Sequence, residues 1–331
     1  MPRRVNNFYN TNNTKQSVEY SPKQLEEWYR KFFDKSFLYN EYGSLRSQVS
    51  WFCEDIILNL LPNYRNKNFI SVAGDEESKN KVSYALGASS DDISEAVKNF
   101  IKKNWVIFNL LAYGKCWFEI VYNDNDDFIF ELINPGGVLK LTKNHIYQYI
   151  PKLIREEKNL PIFKKLSSQD IFCIELSPLL KKKLKGVLSE LNSLSENLIM
   201  PRFASSDLRN RSKFANFDQS WYNYQSNLRL ARITKNTGWS CRSSLSGSTT
   251  EYYNLDKRLR FNKFLIELRS CIIDDLNKGL KKINLKDWSY PELRILNETS
   301  MTKKDVLEVE KLLKSGSVSF HDISLMSHFK K

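Results

Sequence analysis

The sequence predicts an α+β protein, mainly helical with a small antiparallel β-meander. Three observations carry this. Apolar residues recur at helical spacing through most of the chain. Two neighbouring runs, 115–122 and 128–133, switch to the aromatic and β-branched composition of strands. Polar segments marked by Pro and Gly separate the periodic stretches. With 331 residues the chain is long enough to bury a sizeable core without a disulfide or a metal.

Residues 1–20 carry Asn6, Asn7, Asn10, Asn12 and Asn13 with little to bury, which predicts a loose N-terminal arm tipped by Arg3 and Arg4, ordered only against a neighbour. At Ser21 the pattern changes: Ser21 and Gln24 form a capping box, Pro22 suits the first helical position, and Leu25, Trp28, Tyr29, Phe32 and Phe33 share a face. A second helix is expected over about 41–61, with Leu45, Val49, Phe52, Cys53, Ile56, Ile57 and Leu60 inward and Pro62 as its stop. Residues 63–91 read as loops with one short strand. A third helix follows, with Val97, Phe100, Ile101, Trp105, Phe108 and Leu111 inward and Gly114 closing it.

The runs 115–122 and 128–133 form a β-hairpin around 123–127. Asn134 to Gly137 turn the chain, and 138–141 and 145–150 continue the sheet. From Ser177, a cap ahead of Pro178, Leu180, Leu184, Val187, Leu191, Leu194 and Leu198 alternate in steps of four and three, a narrow seam of the kind made against another long helix. Pro201 ends it. Phe217, Trp221, Tyr224, Leu228 and Ala231 repeat the alternation, so a second long helix is expected over 216–235. Residues 236–250, rich in Ser, Thr and Gly, read as a mobile loop. An amphipathic helix over 258–282 follows, and Thr302 with Asp305 caps a last one bearing Val306, Val309, Leu312 and Leu313.

Catalytic chemistry is sparse. Gly114 and Lys115 come nearest to a phosphate-binding loop, but Asn109 replaces its first glycine and Cys116 its hydroxyl. The histidines are His145, His321 and His328, none at ligand spacing from a second His or a Cys, and Asp124, Asp126 and Asp127 sit at a hairpin tip without the glycine and glutamate of a calcium loop. No catalytic residue, metal site or cofactor is expected. The five cysteines lie far apart and in an odd number, which suits a reducing interior. No signal peptide and no apolar run of membrane-spanning length is read, so the chain is expected to be soluble, made in the cytoplasm, with no membrane partner.

Charge carries more information. Lys and Arg number 51 against 38 Asp and Glu, a net charge of +13. Residues 201–242 concentrate Arg202, Arg209, Arg211, Lys213, Arg229, Arg232, Lys235 and Arg242 against Asp207 and Asp218, a balance of 8 − 2 = +6. Arginine predominates there, and its planar fork suits phosphate contact, so a polyanionic partner is expected.

The order of elements resembles the portal proteins of tailed bacteriophages. The stretch Leu111-Ala112-Tyr113-Gly114-Lys115-Cys116-Trp117-Phe118-Glu119-Ile120, followed by Phe128 to Leu132 and Ile133-Asn134-Pro135, is similar to the portal wing, where a helix ends at Tyr-Gly and a hairpin leads to a Pro turn. The run Arg258-Leu259-Arg260-Phe261-Asn262-Lys263-Phe264-Leu265-Ile266-Glu267-Leu268-Arg269 is similar to the Arg- and Phe-rich helix late in portals of the long-contractile-tailed type. The resemblance implies an arm at 1–20, a wing domain at 21–177, stem helices over 178–235 with a clip at 201–215, a tunnel loop at 236–250, and C-terminal wing helices with a short remnant of a crown over 251–331. It also implies a homo-oligomeric ring, dodecameric in this family, at one capsid vertex of the virion. That ring is a channel for double-stranded DNA in packaging and ejection, and it meets the major capsid protein, the terminase motor and the tail adaptor.

On this reading Arg229, Arg232, Lys235 and Arg242 are the DNA-channel candidates, and Arg202, Arg209, Arg211 and Lys213 the motor or adaptor contacts. Leu184, Leu191, Trp221 and Tyr224 are the subunit-interface candidates. Two other classes fit the charge: a monomeric or dimeric basic nucleic-acid-binding protein of replication, and a metal-dependent nuclease assembled from dispersed acids.

Overall fold

A computed structural model of the chain describes residues 15–20, 24, 47–61, 69–87, 92–122, 128–134, 137–142, 145–199, 227–240, 250–283, 291–296 and 301–327. The architecture is mixed α+β, with helices predominant and small antiparallel sheets. The chain divides into two compact units. One comprises Met1–Asp34, Ile70–Glu175 and Ile272–Ile295, the other Lys35–Phe69, Leu176–Cys271 and Leu296–Lys331. The expected helix from Ser21 lies outside the described residues.

The first unit holds the strands β1 (Ile70–Ala73), β2 (Lys115–Tyr122), β3 (Phe128–Ile133), β4 (Val138–Lys140), β5 (Ile146–Tyr149), β6 (Phe163–Leu166), β7 (Ile171–Glu175) and β8 (Glu292–Ile295). The predicted hairpin is present, with Tyr122 opposite Phe128 and Trp117 opposite Ile133. Its continuation differs from the expected meander. The free edge of β2 pairs with β7, Lys115 opposite Glu175, whereas β4, β5 and β6 form a separate sheet. The reason is that β2 is buried on both faces, so it takes a central place and needs an apolar neighbour on each side.

On one face Trp117, Ile133 and Ile171 pack with Val138, Ile146 and Leu166 of the second sheet. On the other, Phe118 lies 5.3 Å from Phe172 and 5.0 Å from Phe100, and Phe130 meets Phe172 edge-on at 4.7 Å, distances at which aromatic rings attract beyond their buried area.

Two further differences are local. A helix, Glu76–Ala85, occupies part of the expected loop region: Asp75 accepts from Ser78 N at 2.8 Å, and Glu76 and Glu77 favour the first turn electrostatically. Its buried face includes Ser78 and Ser83, which is why the apolar period is weak. The third expected helix is two, Ile93–Lys103 and Val106–Tyr113, separated at Trp105, whose φ of 51° is left-handed. Val106, Ile107, Phe108 and Leu110 are all buried, an apolar girth too wide for one face of a single amphipathic helix, and Trp105 is 51% exposed instead of inward.

The second unit is helical: Ser47–Leu60, Pro178–Leu184, Val187–Ile199, a stretch at 227–233, the Glu251–Cys271 part of the helix Glu251–Leu280, Lys303–Ser315 and Phe320–Ser327. Ser47–Leu60 buries Val49, Phe52, Cys53, Ile56 and Leu60 as its periodicity predicts. The expected single helix over 178–200 breaks after Leu184, where Gly186 takes φ +79°. Glu251–Leu280 begins earlier than expected, because the Thr250 hydroxyl accepts from Tyr253 N at 3.3 Å and caps it. Thr302 and Asp305 make the predicted capping box. No described helix is long and apolar enough to cross a membrane.

Burial shapes thiol chemistry. It pushes the Cys53 and Cys173 thiols up to about 12, aided by the Glu54 carboxylate at Cys53 and chiefly Glu175 at Cys173, and raises Cys116 well above the ordinary thiol value. Thiols in the unfolded chain ionise near 9.0, so their contribution to stability is whole below that pH and is lost as pH rises towards about 12. The expected result is slow alkylation of Cys53 and Cys173 in the native protein at about pH 8, with a smaller alkaline loss of stability in the Cys53→Ala/Cys173→Ala chain. Mass-resolved iodoacetamide labelling and urea titration across that range check both.

Candidate nucleic-acid interface

The stretch at 227–240 has two opposed sides. Leu230, Ile233 and Thr234 are buried, at 3%, 8% and 0% exposure, while Arg229, Arg232 and Lys235 are exposed. Steps of three residues keep these cations on neighbouring positions of the helical surface. Arg229 Nη2 donates to Ser193 Oγ at 3.2 Å, which rests one of the three against the helix Val187–Ile199.

The end of this stretch is locked in place. Thr234 Oγ1 donates to Leu230 O at 2.9 Å, and Gly238 N to Thr234 O at 2.8 Å. Gly238, with φ +75°, closes the helix in the left-handed conformation. A Cβ there would lie 2.3 Å from Lys257 O and 2.6 Å from Phe261 N, so only glycine lets this turn rest on the backbone of Glu251–Leu280. Trp239 follows, 2% exposed: its Nε1 donates to Asp55 Oδ2 at 2.9 Å and its ring lies 4.9 Å from Phe52. Arg260, paired with Asp256 at 2.6 Å, also reaches Lys235 O at 3.4 Å. The expected mobile loop is therefore pinned at its start by 237–239 and meets the Thr250 cap at its end; 241–249 lie outside the described residues.

Arg229, Arg232 and Lys235 are thus brought together on an anchored support. Arg242, the motor or adaptor candidates Arg202, Arg209, Arg211 and Lys213, and the interface candidates Trp221 and Tyr224 lie outside the described residues. Leu184 and Leu191 are 6% and 0% exposed within one chain, and the helix Val187–Ile199, which carries Leu191, packs against Ser47–Leu60.

Sequence reading missed the anchor Thr237-Gly238-Trp239. Its signal was a large aromatic next to glycine inside a polar stretch, where a loop composition gives tryptophan no reason to be. Among the described residues no group of three or more His, Cys, Asp or Glu is placed to hold a metal ion. The arrangement has the chemistry of charge-based contact with phosphate: guanidinium and ammonium donors aimed at solvent from a fixed backbone. No protein-family model and no curated protein sequence matches the chain.

Proposed function

We propose that the chain is the subunit of a bacteriophage-type portal, a non-enzymatic ring at a capsid vertex through which double-stranded DNA is packaged and ejected. The observation that carries this reading is the exposed row Arg229, Arg232 and Lys235, fixed from behind by Leu230, Ile233 and Trp239. A channel wall needs that combination. Cations that meet phosphate alone tolerate any sequence and let duplex slide, and a rigid support keeps the lumen from collapsing onto them.

The element order adds support: an aromatic hairpin, a Pro-marked turn, a helix pair after Pro178, a basic stretch, and one long helix late in the chain. Copies associate head to tail about a closing rotation, through surfaces other than the leucine seam. The basic stretch 201–215 faces the terminase and later the tail adaptor. ATP-driven work comes from the terminase, and the ring binds and guides.

Electron microscopy of the purified protein tests this, with rings around a central hollow as the expected image. A single globule under every assembly condition sinks it: salt-dependent DNA binding by that globule then favours a replication-type binding protein, and magnesium-dependent cleavage of DNA favours a nuclease. For the cationic row, the Arg229→Ala/Arg232→Ala/Lys235→Ala chain is expected to keep its thermal stability while the slope of log affinity for duplex DNA against log salt flattens by about 3, near 0.9 for each phosphate contact removed. An unchanged slope in fluorescence-anisotropy titrations removes the row from the DNA path.

A further inference from the structure

Within the first unit, residues Lys15 to Tyr20 lie in a groove that recognises their main chain. Glu119, in the middle of β2 and 1% exposed, accepts from the backbone N–H of Gln16 at 2.5 Å and of Ser17 at 2.9 Å. Gln148, in β5 and fully buried, reads the next residue in both directions: its Oε1 accepts from Val18 N at 2.8 Å and its Nε2 donates to Val18 O at 2.7 Å.

Side chains add register. Gln16 Nε2 donates to Asp170 Oδ2 and Gln16 Oε1 accepts from Ser167 N, both at 2.8 Å, while Lys15 pairs with Glu131. The Tyr20 hydroxyl donates to Tyr149 O at 2.7 Å, and it reaches that carbonyl through space that only a glycine leaves open, since a Cβ on Gly137 would overlap it.

The six residues belong to no strand, so the ladders of β2 and β5 are complete without them. Glu119 and Gln148 are not: all their side-chain hydrogen bonds among the described residues go to this segment. Burying a carboxylate and an amide is costly unless such bonds are made, so the groove favours an occupied state. Its recognition is confined to one short stretch 103 and 130 residues away along the chain, and nothing in it depends on which copy supplies the stretch.

We propose that this groove is an exchangeable peptide site, taking the segment Lys15–Tyr20 from a second copy of the chain as well as from its own. Cis and trans occupancy make the same bonds and differ only in effective concentration, which is the condition for swapping a short element between protomers. In any assembly that holds copies side by side, each arm then ties one subunit to the next. The inference stands apart from the portal reading, because it concerns the first unit of any two copies.

Two full-length variants test it. Gln16→Ala with Tyr20→Ala weakens the strap and leaves the groove; Gln148→Leu blocks the groove and leaves the strap. A fluorescein-labelled peptide of residues 15–20 with capped ends is expected to bind the strap-weakened chain about tenfold more tightly than the unaltered chain, whose own strap competes. It is expected not to bind when Gln148→Leu is added. Mixing the two single-function chains is expected to give hetero-association in sedimentation that neither gives alone. Absence of peptide binding to the strap-weakened chain, equal binding after Gln148→Leu, or no association on mixing each overturns the proposal. Should Gln148→Leu fail to fold, Gln148→Glu, which cannot donate to the Val18 carbonyl at neutral pH, is read by the same outcomes.

Discussion

Trp239→Ala is expected to lower the unfolding free energy by about 3–5 kcal/mol, the range for deleting a large buried aromatic. The indole is 2% exposed, it lies tilted at 4.9 Å from the ring of Phe52, which is itself fully buried, and its N–H is bound to Asp55. Losing it removes apolar contact and a hydrogen bond to a carboxylate together. Trp239→Phe keeps most of the area and loses the bond, so it is expected to cost about 1.5–3 kcal/mol.

Gly238→Ala probes the same anchor from the backbone. The new methyl meets Lys257 O and Phe261 N, which no rotamer change relieves, so the cost is expected to be at least about 1–3 kcal/mol. Urea denaturation with an unchanged m-value checks all three. If Trp239→Ala unfolds at the same urea concentration as the unaltered chain, the anchor carries no stability and the support argued for the cationic row is lost.

How far the sequence discloses this molecule depends on how local the determinant is. The hairpin of β2 and β3, the Thr302 capping box, the Ser177 cap and the inward stripe of Ser47–Leu60 were all legible, because each is written within a few residues. What failed was non-local. Which strand takes the second edge of β2 depends on β7, some fifty positions on, and nothing near Asn134 distinguishes a continued meander from a new sheet. The break at Trp105 and the break at Gly186 both interrupt an apolar period that runs on through them, since period alone cannot tell one long helix from two short ones burying the same residues.

The candidate site shows the same division. Exposure of Arg229, Arg232 and Lys235 follows from charge and spacing, which a sequence displays. The seam at Leu184 and Leu191 is equally plain as a pattern, but a four-three alternation does not name its partner; both residues are buried within one chain, and the helix of Leu191 packs on Ser47–Leu60. The strap was read from composition as a loose arm, whereas its order comes from Glu119 and Gln148, polar residues placed inside strands where a buried polar group demands a partner. Those two positions were the available signal, and only the fold says which segment answers them.

Arg269→Ala is expected to cost about 1–5 kcal/mol, for a reason that also bears on the Arg-rich helix that suggested the family. Arg269 is 3% exposed, and its guanidinium donates from Nε to Leu60 O at 2.7 Å and lies 4.5 Å over the ring of Phe69. Leu60 is the last residue of Ser47–Leu60, so this cation satisfies a helix-terminal carbonyl at the negative end of the helix dipole. Alanine leaves that carbonyl without its Arg269 donor and the Phe69 ring without its cation, effects of about 1–3 and up to about 2 kcal/mol.

Arg269→Lys keeps the charge but lacks the planar face and the lateral Nε–H, and is expected to recover less than half of the loss. Arg269→Met separates the two contributions, since it keeps the apolar stem and removes donor and charge. Calorimetric stability of Met equal to that of arginine would assign the position to packing alone. Stability near that of alanine would assign the effect to donor and charge, so that a residue conspicuous in the sequence as part of a basic run acts as an inward helix clamp.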